Sequence, residues 1–107
     1  MSLLQPIRGV LPLSDPSPEA VVAGATRLCD ALLAHNRLRP EAVVAARLVA
    51  AGTAPGAAAP TLAAVRAAGW TGIPLFFTRT AGEAPSLEVE AHVRLKRRRR
   101  LRPLELS

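Results

Sequence analysis

The sequence predicts an α+β domain in which one mixed β-sheet packs against one long and one short helix. Three patterns carry this expectation. Leu87, Val89, Ala91, Val93 and Leu95 alternate with Glu88, Glu90, His92, Arg94 and Lys96, the period-2 signature of a strand with one apolar face. Val21, Ala25, Leu28 and Leu32 recur at helical spacing behind a strong start signal. Two further apolar stretches, residues 3–13 and 73–78, are interrupted by prolines. At 107 residues the chain has room for one core, so residues 1–107 are read as a single domain whose segment 94–102 is strongly basic.

In chain order, residues 3–13 are extended: Ile7, Val10, Leu11 and Leu13 favour strands, and Pro6 and Pro12 oppose a helix. A helix is expected over residues 18–35. Ser17 caps it, Pro18 fits its first turn, Glu19 complements the positive end of its dipole, and Asn36 stops it. Residues 42–50 (Val43, Val44, Leu48 and Val49 among alanines) suit a strand or a second helix equally. Residues 52–56 form a Gly/Pro loop, and a short helix runs from Pro60 to about Ala68, closed by Gly69. Residues 73–78 read as a buried strand, residues 81–86 as a turn and 87–95 as the final strand.

Composition narrows the classes of function. Half the residues are apolar, but 21 are alanine and only Trp70, Phe76 and Phe77 are aromatic, so the core is thin and association is favoured. Residues 1–90 carry seven positive and seven negative side chains; residues 91–107 carry seven positive and one negative. The net +6 therefore resides in the last 17 residues. A single cysteine, Cys29, excludes an intramolecular disulfide and a cysteine zinc cage. No apolar run reaches a membrane span and no signal core is present, so a cytoplasmic location is expected.

Chemistry-bearing motifs are few. There is no phosphate loop, zinc spacing or nucleophile–histidine set, and no metal or cofactor is expected. His35 and His92 read as solvated side chains, and Cys29 as a small core residue. The run from Arg94 to Arg102 is either a solvated tail or an anion site for carboxylates or phosphates. Nucleic acid is a less favoured partner for Arg97, Arg98, Arg99 and Arg100, because no aromatic side chains are interleaved to stack bases.

The segment order resembles the trimeric pseudo-α/β-barrel class of monofunctional chorismate mutases. The resemblance runs through Ile7-Arg8-Gly9, the acidic helix start, Asn36, Pro40 to Val44, Arg66, Gly69-Trp70, Pro74, His92 to Leu95 and Leu101-Arg102-Pro103. It implies an α/β-barrel-like homotrimer with clefts between subunits, where chorismate rearranges to prephenate without nucleophile or proton transfer. Such a reaction needs a flexible dianion held in its reactive chair and a cation beside the ether oxygen. By resemblance Arg8, Arg66 and Arg102 contact substrate, and Leu101 lies in the C-terminal active-site region.

The sequence also departs from that pattern. It is shorter between Trp70 and His92, where the family's ether-facing arginine is expected, and its glutamate and cysteine fall near Thr80 and Phe77. Arg94 and Arg79 are the candidate replacement cations, Arg94 the better placed. Three functions follow: a divergent chorismate mutase of aromatic amino acid biosynthesis; the same fold acting on another small carboxylated substrate of specialised metabolism, by a pericyclic, dehydratase or lyase step; or a non-catalytic trimer that binds polyanions.

Overall fold

A computed structural model describes residues 2–107. Strand β1 (Leu3–Pro12) leads into helix α1 (Pro18–His35), and a single 3₁₀ turn at Pro40–Ala42 opens strand β2 (Val43–Ala51). Helix α2 (Ala58–Ala67), strand β3 (Leu75–Thr80), strand β4 (Ser86–Leu95) and the two-residue strand β5 (Leu104–Glu105) complete the chain. The five strands form one sheet in the order β3-β2-β4-β1-β5. β4 lies antiparallel between β1 and β2, while β2–β3 and β1–β5 are parallel pairs. The mixed sheet with one long and one short helix is the architecture the sequence predicts.

Helix α1 begins where its cap dictates. The Ser17 hydroxyl accepts from the Ala20 amide at 3.1 Å, and the Asp15 carboxylate accepts from the Ser17 amide at 2.8 Å. Hydrogen bonds from the Ser17 side chain and backbone amide hold the Asp15 carboxyl below its ordinary range. The helix buries Val21, Ala25, Leu28, Cys29, Leu32 and Leu33 against the sheet, and Gly24 lets it approach closely. A Cβ at Gly24 would stand 2.8 Å from the Leu13 Cδ2 atom.

The sheet supplies Ile7, Leu11, Leu48, Leu87, Val89 and Val93 to the same core, which Trp70 closes beside α2. Removing an alkyl side chain of this size from a core costs about 2–5 kcal/mol. Both helices lie on one side of the sheet. Its other side presents Leu4, Pro6, Arg8, Arg47, Phe76, Glu88, Glu90, His92 and Arg94 at alternating positions. No described helix is long and apolar enough to cross a membrane.

Three local readings are settled or corrected. Residues 43–51 are a strand, and a bulge between Val43 and Ala45 explains the ambiguity. Val43 and Ala46 both face the helices, three residues apart, a spacing that imitates a helix. The strand read as buried at 73–78 runs instead over Leu75–Thr80 and is an edge strand. Only Leu75 is buried, and Phe76 is 60% exposed, because β3 has one neighbour and no helix on that face. β5 goes unpredicted, since two residues are too few for a periodicity.

Candidate functional site

The open face of the sheet is built by strand alternation. Every second residue of β1 points away from the helices, so Arg8 is exposed while its neighbours Ile7 and Gly9 are buried. Register then sets what stands beside it. Arg8 pairs with Glu90, Glu90 with Arg47, and Arg47 with Phe76, giving a row across four strands. Charges along this row alternate in sign. Arg47 Nη2 approaches Glu90 Oε2 at 3.7 Å.

Arg8 itself turns to Glu88, one step along β4. Its Nε donates to Oε1 at 2.8 Å and its Nη2 to Oε2 at 2.9 Å, a two-pronged pair of the kind guanidinium makes with any carboxylate. Hydrogen bonding and charge from Glu88 raise the Arg8 pKa further above its ordinary value. The side chain is thus a permanent cation, held by Glu88 in the two-pronged geometry that a guanidinium and a carboxylate adopt.

A groove of about 290 Å³ lies next to this pair, between Pro6, Arg8 and Glu90 on the sheet and Leu101, Arg102 and Pro103 on the C-terminal segment. Two side-chain amides place that segment. Asn36 accepts from the Arg102 backbone N–H at 2.7 Å and donates to the Arg102 carbonyl at 3.0 Å. Gln5 does the same for Arg99, donating to its carbonyl at 2.8 Å and accepting from its N–H at 3.1 Å. Each amide imitates a peptide group, so the basic stretch is held at both ends. β5 extends the hold: Leu104 and Glu105 pair with Gly9 and Val10.

The structure therefore brings Arg8, Leu101 and Arg102 together. Arg94 shares their face but stands four residues beyond Glu90 on β4, about 13 Å away at the usual strand rise. Thr80 lies at the far end of β3, opposite Ala51. Phe77 and Arg79 point to the helix side: Phe77 packs on the core, and Arg79 Nη1 donates to the Thr53 carbonyl at 3.0 Å. Phe77 and Thr80 consequently cannot share one pocket wall, because three steps along a strand reverse the face. Arg66 ends α2 and donates from Nη1 to the Ile73 carbonyl at 3.1 Å, beside β3 at the opposite edge from β1.

Sequence reasoning misses four participants: Glu88, Arg47, Gln5 and Asn36. Arg47 was legible only as the polar position of a strand, and the bulge hid that strand. Glu88 carried the signal of alternation but no sign of its partner. The paired amides have no sequence signature, since their targets lie 94 and 66 residues away.

By sequence, the chain matches no family model and no curated protein. By structure it is similar to a chorismate mutase from Clostridium thermocellum, with a TM-score of 0.80 at 21% identity. The match covers 95% of this chain and 94% of that one. The likeness is one of fold: the chain has a chorismate-mutase-like α+β architecture.

Proposed function

We propose that the protein is a chorismate-mutase-like isomerase, acting as a homotrimer on a small carboxylated substrate at clefts between subunits. The observation that carries this reading is the groove that joins Arg8 to Leu101 and Arg102 on a fold similar to that of a chorismate mutase. Arg8 grips a substrate carboxylate by exchanging it for Glu88. Arg102 supplies a second cation at the rim, and the C-terminal segment limits access of water.

In the rearrangement a C–O bond breaks as a C–C bond forms, and negative charge grows on the ether oxygen. A fixed cation there lowers the barrier. Arg94 is the candidate from sequence, and register adds Arg47, two strand spacings or about 10 Å from Arg8. Arg66 sits at the opposite edge of the sheet from Arg8, so it reaches the same substrate only across a subunit boundary.

One observation favours a second reading. Glu88 and Glu90 flank Arg8 and offset its charge, which suits a substrate with one carboxylate and a hydroxyl or ammonium group better than a dianion. A proton NMR time course with chorismate, with Arg8→Ala as control, tests both. Prephenate formed by the wild type and lost in the variant is the expected result. An unchanged chorismate spectrum moves the assignment to another carboxylated substrate of the same groove.

A further inference from the structure

A second cavity, of about 310 Å³, opens at the C-terminal end of α1, on the other side of the clamped segment from the groove. His35, Asn36, Arg37, Arg99, Arg100 and Arg102 line it. Four arginines and a histidine are among the lining residues, and no carboxylate is. On the open sheet face, by contrast, Arg8 and Arg47 each face a glutamate, Glu88 and Glu90.

The backbone is arranged to keep these cations together. Asn36 is 5% exposed, and its amide is spent wholly on main chain, bonding the Leu32 carbonyl and both backbone groups of Arg102. Gln5 fixes Arg99 in the same manner. Arg99 Nη2 then donates to the Asn36 carbonyl at 2.6 Å, which fixes its guanidinium at the end of α1 beside the cavity. Arg37 adopts a left-handed backbone, φ 54°, a conformation that favours glycine or asparagine. This turn places Arg37 among the residues that line the cavity, with Arg99 and Arg100.

Convergent like charges repel, and a bound anion relieves that repulsion. We propose that this cavity binds the phosphate groups of a small polyphosphorylated anion. Guanidinium forks match phosphate oxygens in pairs, and several forks around one concavity suit several linked phosphates. The cavity is compact rather than a long strip, and no aromatic side chain lines it to stack a base, so an extended nucleic acid fits less well. Arg102 borders both this cavity and the groove, which places a bound phosphate next to the proposed catalytic site.

Isothermal titration of the full chain with inorganic triphosphate tests the assignment. Saturable binding at one site per chain is expected, weakening as salt is raised. Arg37→Asn with Arg100→Gln, which keeps the left-handed turn, should lower the affinity at least tenfold with an unchanged circular dichroism spectrum. Arg8→Ala should bind triphosphate like the wild type, since Arg8 belongs only to the groove. Absence of saturable binding, equal binding by the double variant, or loss in Arg8→Ala would overturn the proposal. So would tighter binding of a single-stranded oligonucleotide than of triphosphate, abolished by Arg97→Ser with Arg98→Ser.

Discussion

Two side chains show how much one residue's surroundings decide. Glu88 holds Arg8 through two hydrogen bonds at the protein surface, where such pairs are weak and exchangeable. Glu88→Gln removes the competing charge and leaves Arg8 free for a substrate carboxylate. The expected outcome is a roughly two- to fivefold fall in KM with kcat nearly unchanged, read from steady-state kinetics on whichever carboxylated substrate turns over. Cys29 is the opposite case, a group with no exposure at all. Burial, aided by the Asp30 charge, pushes its thiol from the ordinary 9.0 up to about 12. Below pH 9 the thiol is neutral folded or unfolded; above it the unfolded chain ionises and the folded chain does not. Stability is therefore full below pH 9 and falls as pH rises toward 12. Urea melts at pH 8 and 10.5 should show the wild type losing about 2 kcal/mol more than Cys29→Ala between the two conditions.

At the scale of elements, the close packing of the loop between β3 and β4 against the end of β2 depends on one glycine. Gly52 has φ 65°, and a Cβ there would meet the Ala84 carbonyl oxygen at 2.9 Å and the Gly82 carbonyl oxygen at 3.0 Å. Backbone cannot swing aside as a side chain can. Gly52→Ala should thus destabilise the fold by about 2 kcal/mol or more, measured by thermal or urea unfolding. Elements differed in how plainly the sequence announced them. α1 and β4 were readable because each keeps one period over its whole length and α1 carries a side-chain cap. β2 was not, because its bulge places Val43 and Ala46 on one face. β3 was readable as a strand and misread as buried, since Phe76 and Phe77 look alike in sequence while only the neighbouring layer distinguishes them. Within the candidate site, Arg8, Leu101 and Arg102 were legible through resemblance. The Glu88 pair and the amide clamps were not, as each joins residues at least 66 apart.

The whole molecule measures 42 × 25 × 19 Å, thin enough for one sheet and one layer of helix. One sheet face is covered by α1 and α2, and the other carries Leu4 at 58% and Phe76 at 60% exposure. Exposed large apolar side chains on a flat face favour association. On the trimer reading, sedimentation equilibrium should return about three times the 11.2 kDa chain mass, and Phe76→Glu should shift the species to monomer. A globular monomer in the wild type would remove the interface cleft. The sheet order also constrains how the chain finds its shape. β1 is made first, yet its neighbour β4 arrives much later, with Arg8 and Glu88 separated by 80 residues. During synthesis the ribosome therefore extrudes a strand that has no partner, followed by a helix with no sheet to lie on. Such non-local pairing slows folding, and until β4 arrives Pro6, which has no N–H to donate, and the charged Arg8 oppose pairing of β1 with other chains.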